Sequence, residues 1–104
     1  MEEGHYAEAE KFNRETLEIR RRVLGPKNPD TARATYNLSC IAARRGRRDE
    51  PLSLLREAVD RGLSPTVDLG IDKDPDLKSL YDDSRFVALV AHAKERAAAA
   101  QKPD

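Results

Sequence analysis

A run of aspartates between residues 72 and 83 is the densest set of side chains that could bind a metal. Four of them stand at the spacing of positions 1, 3, 5 and 12 of a calcium-binding loop: Asp72, Asp74, Asp76 and Asp83. Such a loop needs glycine at its sixth position to turn sharply, and this chain has Leu77 there. Helix capping explains Asp74 and Asp83 without an ion. The sequence therefore predicts no metal site and no cofactor.

Two arginine clusters, at residues 20–22 and 44–48, are the next candidates for chemistry. Guanidinium groups bind phosphates, so such clusters could contact nucleic acid. However, no aromatic side chain interleaves with them to stack on bases. Positive charge is also favourable at the end of a helix, where it meets the helix dipole. We expect solvated helix ends and no nucleic-acid partner.

The chain lacks the residue patterns of the common catalytic sites. Cys40 is the only cysteine, and no general base stands near it in the sequence. Ser39 and Ser84 lie in no G-x-S-x-G motif, and there is no glycine-rich phosphate loop. His5 and His92 are too far apart to show the spacing of metal ligands. The sequence predicts a protein that is not an enzyme.

Composition indicates one small helical domain. The 104 residues carry 19 basic and 19 acidic side chains, but arginine dominates up to Arg61 and aspartate from Asp68 to Asp83. Alanine, leucine, glutamate and arginine favour helix, and long β-branched runs are missing. No apolar stretch reaches the roughly 18 residues that a membrane span needs. The acidic N-terminus is unlike a signal peptide, so we expect a soluble, cytoplasmic protein without a membrane partner.

Glycine and proline divide the chain into helices. Apolar or small residues at spacings of three and four predict a first helix that ends at Gly25, and Asp30 is the predicted N-cap of a second helix that runs to about Arg45. Asp49 begins the predicted third helix, with Pro51 in its first turn, and this helix ends at Gly62.

The remainder is less regular, with apolar anchors at Val67, Leu69 and Ile71. Asp74 followed by proline predicts a short helix over residues 75–80. Asp82 or Asp83 should cap a last helix, whose buried face is predicted to hold five residues: Phe86, Leu89, Val90, Ala93 and Ala97.

An internal repeat links the first and third helices. Gly46 repeats Gly4 at an offset of 42 residues, and the same offset pairs Leu17 with Val59. The run from Gly4 to Glu10 resembles the start of the second helix of a tetratricopeptide repeat, G-x-Y-x-x-A. The run from Leu24 to Ala32 is similar to the linker of the longer, kinesin-light-chain type, and Tyr36-Asn37-Leu38-Ser39 resembles the first helix of that type. The resemblance covers about residues 4 to 63.

The resemblance implies an all-α, right-handed helical solenoid fragment at the C-terminal end of an array. Residues 1–63 would hold the second helix of one repeat and one full helical pair, residues 64–100 a capping half-repeat, and residues 101–104 a frayed tail. Arg48 and Pro51 depart from the family pattern, as in a terminal repeat. Residues 74–86 resemble the segment that closes many bacterial arrays of this family.

The resemblance also implies a site. The first helix of a repeat usually lines a concave face that grips an extended peptide. By register this face would carry Arg33, Tyr36, Asn37, Cys40 and Arg44. The arginine and asparagine side chains there could hold the backbone or the acidic side chains of a protein or peptide partner through charge-assisted hydrogen bonds. The alternative is that they are ordinary packing or solvated residues.

Two further functions stay open at the level of sequence. One hypothesis makes the chain the C-terminal regulatory segment of a larger bacterial signalling protein, such as a Ser/Thr kinase or a cyclase. The other makes it a homodimer, in which Tyr6, Phe12 and Leu17 of the first helix are buried across a two-fold axis.

Overall fold

The computed structural model describes residues 3–25 and 27–101. Within these ranges the chain forms helices and no strand, which confirms the all-α fold. The five α-helices are α1 (Glu3–Leu24), α2 (Pro29–Arg44), α3 (Asp49–Arg61), α4 (Pro65–Gly70) and α5 (Ser84–Gln101). Two 3₁₀ helices, Ile71–Lys73 and Pro75–Leu80, connect α4 to α5. Of the predicted frayed tail at 101–104, Gln101 ends α5, whereas residues 102–104 lie outside the described residues, as does Pro26.

The turn between α1 and α2 is held by local hydrogen bonds. Gly25 has a φ of 89°, a left-handed conformation that side-chain-bearing residues rarely adopt. Thr31 donates a hydrogen bond through Oγ1 to the carbonyl oxygen of Gly25 at 2.9 Å. The predicted N-cap of α2, Asp30, is wrong. Asn28 caps the helix by accepting a hydrogen bond from the Asp30 amide at 2.9 Å, because Pro29 takes the first helical position.

Small side chains let α2 pack closely between its neighbours. Ala34 and Leu38 face Leu17 of α1, and the other side of α2 contributes to a larger core with Leu55 and Val59 of α3. Ser39 donates a hydrogen bond to the carbonyl oxygen of Pro51 at 2.7 Å, which ties α2 to the first turn of α3. The predicted limits of α3 are confirmed.

The C-terminal part, residues 64–101, contains more regular helix than its sequence pattern predicted. Ser64 caps α4, since its Oγ accepts a hydrogen bond from the Val67 amide at 3.4 Å. Ile71 is fully buried as predicted, but Leu69 is 44% exposed and is not an anchor. The short helix at 75–80 is confirmed as a 3₁₀ helix capped by Asp74. Asp83 accepts a hydrogen bond from the Arg85 amide at 2.9 Å, at the start of α5.

The predicted self-association face on α1 does not exist as one surface. Leu17 is only 6% exposed, because it packs inward against α2, and Tyr6 is half-buried. Phe12 points the other way and shares the outer side of the helix with Ile19 and Val23. Their exposed fractions are 68%, 57% and 74%. We call Phe12, Ile19 and Val23 the outer stripe of α1.

Candidate partner-binding groove

An open groove runs along α2, between α1 and the second 3₁₀ helix. It consists of two adjoining depressions that share Cys40, Ile41 and Asp76. The larger depression has a volume of about 380 Å³. We call this feature the α2 groove, and its lining comprises Tyr6, Asn13, Arg33, Tyr36, Asn37, Cys40, Ile41, Arg44, Asp74 and Asp76.

All five side chains predicted to line the concave face are therefore brought together. Counted from Arg33, the other four follow at three, four, seven and eleven residues, which places them on one side of the helix. They differ in exposure, however. Arg33, Asn37 and Arg44 are exposed, whereas Tyr36 and Cys40 are each only 8% exposed. These last two residues belong to the floor and the core, so they offer little surface to a partner.

We call residues 64–83, which connect α3 to α5, the cap. The acidic segment of the cap, residues 72–76, occupies part of this face. The Tyr36 hydroxyl donates a hydrogen bond to Oδ2 of Asp74 at 2.5 Å. Nε of Arg44 donates to Oδ1 of Asp76 at 2.7 Å. Sγ of Cys40 lies 3.8 Å from Oδ2 of Asp74. Three of the five predicted side chains therefore already contact carboxylates that the chain itself supplies.

Burial changes the titration of the two floor residues. Burial, and then the hydrogen bond to Asp74, raise the pKa of Tyr36 well above its ordinary value. Burial also raises the pKa of the Cys40 thiol to about 12, and the charges of Asp74 and Asp76 add to this effect. Both groups are protonated at neutral pH.

Ligand atoms of Cys40, Asp74 and Asp76 lie within 4.8 Å of one another, a separation at which three ligands could surround an ion. A metal binds the thiolate form of cysteine, which the raised pKa of Cys40 opposes. The two carboxylates already accept hydrogen bonds from Tyr36 and Arg44. This donor set therefore suits the docking of the cap better than it suits a metal ion.

Four side chains of the groove remain open to a partner. Arg33 and Asn37 are exposed and make no side-chain hydrogen bond or ion pair to the described part of the chain. Asn13 donates a hydrogen bond through its side-chain nitrogen to the carbonyl oxygen of Ala9 at 2.8 Å, which leaves its side-chain oxygen to accept another. Ile41 is half-buried beside them. Asn13 and Ile41 were not among the predicted groove residues, although Ile41 follows Asn37 by one helical turn.

The arginines of the cluster at 44–48 form ion pairs with side chains of α1 and of the cap. Glu10 on α1 is 7% exposed and forms ion pairs with Arg14, Arg45 and Arg47. Burial opposes its ionisation, but hydrogen bonds from the three guanidinium groups outweigh burial and lower the pKa of Glu10 to about 2. Arg48 lies 3.3 Å from Asp83. The cluster at 44–48 thus joins α1, α2 and the cap.

The same holds for the cluster at the end of α1. Arg21 pairs with Glu57 of α3 at 2.9 Å, and Arg20 donates a hydrogen bond to the carbonyl oxygen of Asp30 at 3.2 Å. These basic side chains hold α1 against the following two helices.

The family model described as tetratricopeptide repeat matches residues 1–62. Searches of the curated proteins and of the solved structures return no match. Among the described residues, none of the helices has the length and apolar character needed to cross a membrane.

Proposed function

The chain belongs to the tetratricopeptide repeat family, whose repeats form scaffolds for protein–protein interaction, and we propose that it binds an extended segment of a protein partner in the α2 groove. The role is non-catalytic. The observation that carries this proposal is the pair Arg33 and Asn37, which stand exposed and unengaged beside a largely buried floor. Exposed polar groups of this kind are available to a ligand without breaking contacts within the fold.

The open side chains suit a peptide backbone with an acidic residue. An asparagine side chain offers both a donor and an acceptor, so Asn37 can bracket a peptide unit of an extended segment. Asn13 adds an acceptor from the opposite wall. The Arg33 guanidinium suits a carboxylate, with which it can form two parallel hydrogen bonds. Ile41 provides an apolar contact between these polar groups.

Charge along the groove sets the direction of the partner. Arg33 stands near the N-terminal end of α2 and carries an unpaired positive charge. At the other end, Asp76 neutralises Arg44. An acidic residue of the partner is therefore favoured at the Arg33 end. At the Arg44 end it would meet the carboxylate of Asp76, and repulsion disfavours it there.

Peptide selection on the immobilised chain tests this proposal. A random peptide library displayed on phage is selected, and the affinity of each enriched peptide is measured by fluorescence anisotropy. We expect Arg33→Glu to weaken binding about tenfold or more, which corresponds to roughly 1.4 kcal/mol. Arg22→Glu makes the same charge reversal at an exposed site outside the groove and should leave the affinity unchanged. Equal affinity for both variants would reject the α2 groove as the binding surface.

A second candidate function is self-association through the outer stripe of α1. Three exposed apolar side chains on one side of a helix favour contact with another apolar surface. This surface replaces the predicted face of Tyr6, Phe12 and Leu17. It is independent of the α2 groove, so both functions are compatible with one fold.

The 42-residue spacing between Gly4 and Gly46 supports assignment to the kinesin-light-chain type of repeat. A place at the C-terminal end of an array, a position in a larger bacterial signalling protein and a cytoplasmic location stay predictions.

A further inference from the structure

A second groove lies between α3 and α5 and shares no residue with the α2 groove. Its volume is about 520 Å³. Each helix contributes four residues at helical spacing: Asp49, Leu52, Ser53 and Arg56 from α3, and Arg85, Ala88, Leu89 and His92 from α5. We call this feature the α3–α5 groove.

The floor of the α3–α5 groove is apolar. Leu52 is 5% exposed and belongs to the core, and Leu89 packs against that core from α5. Ala88 and Ser53 stand exposed on the two walls, and their small side chains leave the space above the floor open. A cleft of this shape accepts a bulky apolar side chain, because that side chain would replace water over Leu52 and Leu89.

A salt bridge at one end of the groove and a polar contact near the other connect the two helices. Nη1 of Arg85 lies 2.8 Å from Oδ1 of Asp49 at one end. Nε2 of His92 lies 3.2 Å from Oδ1 of Asp60 near the other end. These contacts bridge the walls and bracket the open space between them. The groove is therefore bounded by the folded chain itself and is present before any partner arrives.

The basic side chains on the rim differ in how well nearby carboxylates neutralise them. Arg85 contacts two carboxylates, since it also lies 3.0 Å from Asp83. Arg56 is 76% exposed in its side chain, and its carboxylate partner Asp60 is 3.8 Å away. Asp60 also faces His92, so one carboxylate is shared between two basic groups. Arg56 is therefore the rim cation with the weakest neutralisation, and it stands directly beside the apolar floor.

We propose that the α3–α5 groove is a second interaction surface, which takes a bulky apolar side chain from a protein partner whose neighbouring Asp or Glu pairs with Arg56. The occupant is thus a short segment in which a leucine, methionine or phenylalanine stands next to a carboxylate. The apolar residue supplies burial over Leu52 and Leu89, and the acidic residue complements the charge of Arg56. Because the two grooves share no residue, one chain could hold two partner segments at once.

The test uses the full chain carrying Arg33→Glu, so that ligands of the α2 groove do not contribute. A random peptide library displayed on phage is selected on this variant, and enriched peptides are synthesised and measured by fluorescence anisotropy. We expect enrichment of peptides with an acidic residue beside a bulky apolar one. Adding Ala88→Arg fills the groove and should weaken their binding tenfold or more, whereas Ala98→Arg, an exposed site elsewhere on α5, should not.

Charge reversal tests the chemistry of the partner. On a chain with Arg56→Glu, selection should favour basic residues beside the apolar one. If the acidic preference survives this change, the assignment of Arg56 is wrong. If Ala88→Arg and Ala98→Arg bind equally well, or if no peptide is enriched, the groove is not an interaction surface. A dimer of the free chain that Ala88→Arg dissociates would assign the groove to a second copy and would also overturn the proposal.

A folding control accompanies these measurements. Ala88 is an exposed helical position, where arginine is a good helix former. Thermal unfolding followed by circular dichroism should therefore show a similar Tm for the two variants. If Ala88→Arg lowers the Tm, Ser53→Arg fills the same groove from the opposite wall and takes its place. Failure of the α2-groove proposal leaves this result unaffected, because the comparison of Ala88→Arg with Ala98→Arg reports only on the α3–α5 groove.

Discussion

At the scale of single residues, Asp68 on α4 is the carboxylate least well matched to its surroundings. It is only 2% exposed, and its Oδ1 has no hydrogen-bond partner. Burial raises its pKa to about 6, and the nearby charges of Arg96 and His92 only partly offset this effect. A group in this position destabilises the fold when it ionises, because a buried charge without a partner loses its hydration.

Replacing Asp68 with asparagine should therefore change the dependence of stability on pH. The folded-state pKa of Asp68 lies above its ordinary value of 3.8, so the folded state holds the proton more tightly than the unfolded one. The stability linked to this proton is present below about pH 4 and is lost as the pH rises through about 6, a loss of roughly 2–3 kcal/mol. We expect Asp68→Asn to be more stable than the wild type at pH 7.

Urea unfolding at several pH values measures this difference. The advantage of Asp68→Asn should grow between pH 4 and pH 7 and then level off. Glu10 titrates in the opposite sense, since its pKa is lowered to about 2, but it is present in both proteins and cancels in the comparison. A constant difference across this pH range would show that Asp68 does not carry the raised pKa.

At the scale of elements, the docking of the second 3₁₀ helix on α2 depends on one buried hydroxyl. Tyr36 reaches Asp74 with its hydroxyl at 2.5 Å, and Tyr81 reaches the backbone carbonyl of the same residue at 2.6 Å. The first hydroxyl belongs to a buried ring, and the second to an exposed one. Water can replace the lost partner more easily at the exposed site.

Tyr36→Phe should therefore destabilise the protein by about 1–2 kcal/mol, because the carboxylate of Asp74, a charged acceptor, loses the hydrogen bond that the Tyr36 hydroxyl donates. Tyr81→Phe is the matched control and should cost less. Hydrogen exchange resolves where the effect lies, since the amide of Leu77 donates to the Asp74 carbonyl oxygen within the cap. We expect faster exchange there in Tyr36→Phe and little change in α1. Equal destabilisation by the two variants would show that the buried hydroxyl has no special role.

The elements also show what sequence patterns could predict. The predicted ends of α1 and α3 are confirmed at Gly25 and Gly62, where glycine adopts a positive φ that few other residues tolerate. The alignment of Arg33, Asn37 and Arg44 on one side of α2 follows from helical spacing alone. These features depend on neighbours in the sequence, so local patterns carry them.

Local sequence patterns could not predict the contacts between distant parts of the chain. Asp74 and Asp76 lie more than 30 residues from Tyr36 and Arg44, and nothing in their local sequence indicates that they cover the predicted site. Likewise, α1 carries apolar residues on two sides, and periodicity alone did not separate Leu17 from Phe12. Packing against α2 decides which side is buried, and that information belongs to the fold.

At the scale of the whole molecule, the outer stripe of α1 is the surface most exposed to association. Phe12, Ile19 and Val23 follow one another at spacings of seven and four residues, so they lie on the side of the helix away from Leu17, with Glu15 and Thr16 between the first two. Lone exposed apolar residues are common on protein surfaces, whereas three on one side of a helix favour an interaction surface.

We expect the chain to self-associate at high concentration, with Phe12 and Val23 buried between two copies. Light scattering during size-exclusion chromatography across a concentration series measures the molar mass. The double variant Phe12→Lys/Val23→Lys should stay monomeric at concentrations at least tenfold higher, with an unchanged Tm, because both positions are exposed and lysine is a good helix former. Val87→Lys places the same charge on an exposed apolar site of α5 and should leave association intact.

Leu17→Asp is unsuitable for this purpose, since it would put a charge into the α1–α2 contact and unfold the chain whatever its oligomeric state. A wild-type chain that remains monomeric at every concentration, or a dimer that persists in the double variant, would show that the outer stripe does not bind a second copy.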